Sequence, residues 1–197
     1  MFKKLVCVVV ALLVTVGIAC AADAVKPSKN PVVEINTTLG QIKLELYEKE
    51  APISVKNFLE YANSGYFKDT VFHRVIPGFM IQGGGLTSKL MPKGGDRPAI
   101  KNEAANGIKN TRGTLAMART GEPDSGTAQF FINVNNNTFL DHRDKTVSGY
   151  GYAVFGKVIE GMDVVDKIVN TPQERKNSVF QNVPKVPVVI TSVKVLK

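Results

Sequence analysis

The residues able to do chemistry are concentrated in Val71–Gly85, VFHRVIPGFMIQGGG. This stretch holds an arginine, a histidine, a Phe-Met pair, a glutamine and three glycines. Val71-Phe72 and Met80-Ile81-Gln82 predict strand, and Pro77-Gly78 predicts the turn between them. Successive side chains of a strand point to opposite faces. Strict alternation would put Phe72 and Arg74 on one face, and His73 and Val75 on the other. Met80 and Gln82 likewise share a face. Arg74 and Gln82 are then expected on neighbouring strands, looking onto one surface with Phe79 at its rim. Such a surface offers a permanent cation, an amide that both donates and accepts, and an apolar floor. It offers no nucleophile and no carboxylate base. That set suits holding and polarising a neutral ligand rather than breaking a bond. Taken singly, an arginine or glutamine on a strand is more often solvated surface. The information lies in the block.

As a block, FHRVIPGFMIQGG (Phe72–Gly84) resembles the signature of the cyclophilin-type peptidyl-prolyl isomerases. Four further stretches follow in the family's order: GTLAMAR (Gly113–Arg119), AQFFI (Ala128–Ile132), FLD (Phe139–Asp141) and YAVFGKV (Tyr152–Val158). The resemblance runs from about Pro31 to Val195 and is strongest to the bacterial periplasmic members. It implies a mainly β fold, a closed eight-stranded antiparallel barrel capped by two α-helices. It also implies an enzyme that speeds X-Pro isomerisation without a cofactor or metal. By that resemblance Arg74 is the catalytic arginine. Phe79, Met80, Phe131 and Leu140 wall the proline ring, and Gln82 and Gln129 contact the substrate backbone. Ala118, Arg119 and Thr120 form the strand edge along which a peptide lies. Arg119 replaces the asparagine common in eukaryotic members, a change that a backbone contact should survive. Phe139 stands where many members carry a tryptophan associated with cyclosporin binding, and Tyr152 where many carry a histidine. The resemblance therefore implies poor cyclosporin sensitivity with isomerase activity retained. The alternative is a non-catalytic module that holds proline-containing peptides in the same groove.

The elements that must position these residues are legible around them. Val33, Ile35 and Thr37 alternate with polar neighbours, as do Ile42, Leu44 and Leu46, with Leu39-Gly40 between: a hairpin with one buried face. Pro52 opens a segment in which Val55, Phe58, Leu59 and Ala62 recur at helical spacing, and Gly65 ends it. Thr114–Ala118, Phe130–Val134, Ala153–Val158 and Val188–Leu196 predict strands. Met162 to Val169 predicts a second amphipathic helix. Leu86 to Asn110 shows little periodicity and predicts an ordered functional loop. Asn133–Asn137 predicts a turn, and Asp141–Gly151 a polar excursion. Gly83-Gly84-Gly85 is no phosphate cradle, since no GxxxxGK[ST] is present. The two histidines make a poor metal site without clustered acids or cysteines. His73 is expected to be structural, pointing away from Arg74, and His142 to be in solvent.

The chain has 197 residues, of which 44% are hydrophobic, enough for one domain with a sizeable core. Its beginning is a separate unit. Met1-Phe2-Lys3-Lys4 is basic, Leu5 to Ile18 is an apolar stretch of 14 residues, and Ala19-Cys20-Ala21 is small throughout. This is the order of a secretory signal and too short for a typical membrane span. The expected division is residues 1–21 as signal, 22–30 as a polar lead-in, and 31–197 as the isomerase domain. The expected location is the periplasm. Gly17-Ile18-Ala19-Cys20 also loosely resembles a lipoprotein box, which would anchor the chain through Cys20. Cys7 and Cys20 both fall in or beside the signal, so the folded domain has no thiol chemistry. The formal charge is +8, or +6 without Lys3 and Lys4, with acids and bases interspersed. That pattern argues against nucleic acid as a partner. Proline-containing exported polypeptides are the expected partners, and a monomer is the expected state.

Overall fold

The computed structural model describes residues 30–95 and 97–196, so the proposed signal, its cleavage point and Cys20 lie outside the described residues. Eight strands form one antiparallel sheet. In chain order they are β1 (Val32–Thr37), β2 (Gly40–Leu46), β3 (Arg74–Ile76), β4 (Met80–Gly83), β5 (Thr114–Met117), β6 (Phe130–Asn133), β7 (Val154–Glu160) and, after a small ribbon, β10 (Ile190–Leu196). The ribbon pairs β8 (Gln173–Glu174) with β9 (Val183–Pro184). Across the sheet the order is β10-β1-β2-β7-β5-β6-β4-β3.

The sheet is strongly curled, and its two edges meet without a full ladder. Thr70–Phe72, just before β3, bonds to Val188–Ile190, which leads into β10, through Phe72 N–H to Val188 O at 3.0 Å and Ile190 N–H to Thr70 O at 2.8 Å. The expected barrel is thus closed by a short bridge. This junction also corrects the expected alternation. The ladder between β3 and β4 starts at Arg74, and Phe72 and His73 lie outside it. Phe72 and Val75 both enter the interior while Arg74 is exposed, so Phe72 does not share the face of Arg74.

Two helices send their apolar faces into that interior. In α1 (Pro52–Asn63), Val55, Phe58, Tyr61 and Ala62 are buried; in α2 (Met162–Val169), Val164, Val165, Ile168 and Val169. Proline fits the first turn of α1 because the N–H it lacks has no helical partner there. The remaining free N–H groups are met from a distance. Glu103 accepts from Ile53 N–H at 3.0 Å and Ser54 N–H at 2.8 Å, and from Ser54 Oγ at 2.7 Å. A carboxylate at a helix N-terminus is favoured by both hydrogen bonding and the helix dipole. The long loop after β4 is therefore ordered because it caps a helix. At the centre of the core Phe130 meets the rings of Phe58, Phe67 and Phe72 at 5.4, 5.6 and 6.1 Å, all edge-on.

Candidate functional site

The same strands carry a second, smaller apolar cluster on their outer face: Met80, Ala116, Ala118, Phe131, Leu140 and Val154. Alternation produces it. In β6, Phe130 and Ile132 point inward, which turns Phe131 out. Ala116 and Ala118 are short, so the surface sinks between Met80, Phe131 and Leu140. The result is a depression of about 390 Å³. Its lining is Arg74, Phe79, Met80, Gln82, Ala118, Arg119, Phe131, Phe139, Leu140 and Tyr152. All ten were expected from the sequence. The other two expected residues, Thr120 and Gln129, line an adjoining cavity of about 180 Å³ that shares Gln82, Ala118 and Arg119. Ser125 and Thr127 complete that cavity and were not anticipated, since a serine and a threonine in a polar loop carry no spacing signal.

Arg74 and Gln82 are direct cross-strand partners. Arg74 Nη1 donates to Gln82 Oε1 at 3.4 Å, and Gln82 Nε2 donates to Gln129 Oε1 at 2.9 Å. The partner of the guanidinium is a neutral amide, so its charge is oriented without being neutralised. Its carbon lies 5.8 Å from the centre of the Phe79 ring. Phe79 stacks at 5.5 Å and 31° on Phe139, which is 68% exposed and forms the rim rather than a wall. On the far side Tyr152 meets Phe131 edge-on at 5.7 Å.

A buried amide network fixes the Phe79 side. The expected Asn-rich turn keeps Asn133 and Asn137 inside. Asn137 donates to Phe79 O at 2.8 Å and to Asn133 Oδ1 at 2.7 Å; Asn133 donates to Asn110 Oδ1 at 3.1 Å and Thr114 Oγ1 at 2.9 Å. Asp141 accepts the Asn110 N–H at 2.8 Å, anchoring the turn that presents Phe139 and Leu140. Fully paired buried networks of this kind hold a single arrangement.

Arg119 has a role that its sequence position did not show. Its Nε donates to Gly151 O at 2.9 Å, and Nη1 to Thr120 O and Gly121 O, both at 3.0 Å. The guanidinium also covers the Tyr152 ring at 4.6 Å. The side chain therefore ties Ala118–Gly121, a loop after the inner strand β5 rather than the expected strand edge, to the Asp141–Gly151 loop, and it lines both cavities. Arginine suits this because its rigid fork donates in several directions while its plane stacks.

His73 is 5% exposed, and burial holds its pKa down to about 4, against a raising contribution from a hydrogen bond to the Val71 backbone and a lowering one from Arg74. It is buried where Arg74 is exposed, in keeping with a structural role, yet the two remain neighbours. The irregular chain before β3 lets both residues line a third cavity, of about 400 Å³, together with Val179–Asn182. His142 is half-buried rather than solvated, with Nδ1 2.7 Å from Tyr150 O and its ring edge-on to Tyr150. Among the described residues no three His, Cys, Asp or Glu side chains are grouped so as to hold a metal, and no helix is long and apolar enough to cross a membrane.

Residues 32–195 match the family model described as cyclophilin type peptidyl-prolyl cis-trans isomerase/CLD. The chain is 48% identical over its whole length to peptidyl-prolyl cis-trans isomerase A of Dickeya dadantii, also covered in full. It is 57% identical to a peptidyl-prolyl cis-trans isomerase of Acinetobacter baylyi, over 84% of this chain and 86% of that one. Among solved structures it is similar to a cyclophilin type peptidyl-prolyl cis-trans isomerase of Cryptosporidium parvum, with a TM-score of 0.70 and 28% identity over 85% of this chain and 98% of that one. The same protein, solved in the presence of the dipeptide Ala-Pro, gives a TM-score of 0.69 with 28% identity, over 84% and 99% of the two chains. With the motifs, the curled barrel and the outer depression in agreement, this chain belongs to the cyclophilin-type peptidyl-prolyl cis-trans isomerases.

Proposed function

We propose that Arg74 is the catalytic group of this isomerase, acting on an X-Pro bond whose proline ring sits on Met80, Phe131 and Leu140, and that the enzyme serves exported polypeptides. The observation that carries the assignment is an exposed guanidinium paired to an amide at the wall of an apolar depression. The solved relative in the presence of Ala-Pro supports an X-Pro peptide as the ligand.

Rotation about an X-Pro bond is slow because it breaks amide resonance, at a barrier of about 18–20 kcal/mol. No covalent bond is made, so neither nucleophile nor metal is needed. In the twisted amide the proline nitrogen becomes pyramidal and gains a basic lone pair. A guanidinium beside it stabilises that form more than either planar form, which is what lowers a barrier. Arginine stays protonated throughout. Shortening about a minute to about a millisecond is roughly five decades, or about 7 kcal/mol. One charge-assisted hydrogen bond contributes about 1.5–3 kcal/mol. Arg74 alone is insufficient. The remainder falls to the pocket, where Met80 and Phe131 are almost fully buried and the amide chain Arg74–Gln82–Gln129 is set before substrate arrives. The segment Ala118–Thr120 holds one flank of the peptide while the other turns.

Export rests on the basic, apolar and small-residue order of residues 1–21. Mass spectrometry of the native N-terminus tests it: a start at Ala22 supports cleavage into the periplasm, a diacylated Cys20 supports a lipid anchor, and an intact Met1 contradicts both. Refolding of an exported protein limited by an X-Pro bond tests the folding role. Acceleration that disappears in Arg74→Ala supports it. Suppression of aggregation without faster refolding, unchanged in Arg74→Ala, would instead favour a peptide-holding module.

A further inference from the structure

The cavity beyond Arg74 is unused by the mechanism above. Arg74 is its common wall with the proline depression, and the two volumes are nearly equal, about 400 and 390 Å³. Its other side is the Val179–Asn182 turn. That turn is shaped by Asn177, whose Oδ1 accepts from Val179 N–H at 2.9 Å and Phe180 N–H at 2.8 Å. It is tied to β3 by Val75 N–H donating to Asn182 O at 2.9 Å. Val179 is 77% exposed and Phe180 half-buried, so a fixed turn presents apolar surface beside the groove. His73 lies beneath the lining, its Nδ1 buried and without a partner among the described residues, while Gln181 and Asn182 bring amides to the wall. Arg74 is the one charged residue of the lining.

We propose that this cavity is a second substrate subsite, taking an uncharged side chain with an apolar stem and a carboxamide tip, such as glutamine, from the polypeptide flank opposite the one held at Ala118–Thr120. The inference rests on the proline-pocket reading above. Sheet order places the two flanks: β3 carries Arg74 at the sheet edge, then come β4 and β6 with Met80 and Phe131, then β5 leading to Ala118. Strands are spaced about 4.8 Å apart and an extended chain advances about 3.3 Å per residue, so the cavity lies about two or three residues from the proline. Apolar stems pack on Val179 and Phe180. A carboxamide can accept from the Arg74 guanidinium and exchange hydrogen bonds with the Gln181 and Asn182 amides of the lining, which a hydrocarbon cannot. A lysine or arginine would bring a second cation against Arg74, so it is disfavoured.

The test compares Ala-Pro dipeptide, which reaches only the proline depression, with Ala-Pro peptides extended on both flanks. In the extended series Gln, Ala or Lys is placed two and three residues from the proline on each side. Cis/trans exchange is measured by NMR for wild type, Val179→Ser and Phe180→Ala, with urea midpoints checking the fold. The expected result is a gain in kcat/KM for Gln over Lys on one flank only. Phe180→Ala should lower kcat/KM on the Gln peptide by about 5–20-fold, the scale of losing a buried aromatic contact, and leave the dipeptide within about twofold. Equal rates across the series, or variants that treat extended peptides as wild type does, overturn the subsite. So does a parallel loss on dipeptide and extended peptides at unchanged midpoint. Failure of wild type to speed even the dipeptide would instead bring down the proline-pocket reading, and the subsite with it.

Discussion

Phe130 and Phe131 are neighbours in one strand, yet they belong to regions built on different terms. Phe130 is fully buried among Phe58, Phe67 and Phe72, with helices α1 and α2 closing over the same interior. Phe131 sits on the outer face, above two alanines and beside a guanidinium. Inside, large side chains meet large ones. Outside, Ala116 and Ala118 leave the space that Met80, Phe131 and Leu140 surround. The same alternation of β4, β5 and β6 thus makes a core and a candidate binding surface. The difference is side-chain size on the outward positions and polar groups at their edge. Stability should therefore reside in the first region and rate in the second.

The largest expected effect breaks the interior. Phe130→Ala removes the ring shared by three others and should cost about 3–5 kcal/mol, seen as a lower urea midpoint. Acid should weaken the interior through His73. Its folded pKa is about 4 against an ordinary 6.5, so between these values the unfolded chain binds the extra proton. Its contribution is complete above about pH 6.5 and is lost as pH falls through 4, by about 3 kcal/mol at most. Urea midpoints from pH 7 to 4 should follow that course, whereas saturated turnover should stay flat from pH 6 to 9, since no acid–base group takes part. Arg119→Ala sharpens the contrast on the outer side. Losing its ties to Gly151, Thr120 and Gly121 should raise KM about 5–10-fold with little change in kcat, the scale of one or two hydrogen bonds. Gln82→Leu, which unhooks Arg74 from Gln129, should lower kcat about 3–10-fold with an almost unchanged midpoint.

The sequence marked the candidate site's residues more fully than the chain path around them. Residues with period-2 alternation, such as those of β1 and β2, read directly because one face is uniformly apolar. All ten lining residues of the depression were reached through the family motifs, which lie within strands or tight turns. What alternation could not show is where a ladder stops. Phe72 and His73 look like strand, yet Phe72 belongs to the segment that bridges the barrel's edges and His73 lies between that bridge and the ladder, which reverses the parity of Phe72 against Arg74. Glu103 was invisible as a helix cap because its partners lie about fifty positions earlier. The β8–β9 ribbon, two residues per strand, is too short to leave a periodic trace. Asn133 and Asn137 read as turn residues by type, while their burial depends on partners brought in from Asn110 and Phe79.

The separation of the two regions is tested most directly by exchange NMR on a short Ala-Pro peptide with the wild-type protein and with Arg74→Ala. The side chain is exposed, so the variant should keep its urea midpoint within about 0.5 kcal/mol. It should still bind the peptide, but exchange at saturation should slow by about 10–150-fold, the value of one charge-assisted hydrogen bond. Exchange that persists at the wild-type rate in Arg74→Ala would contradict the account.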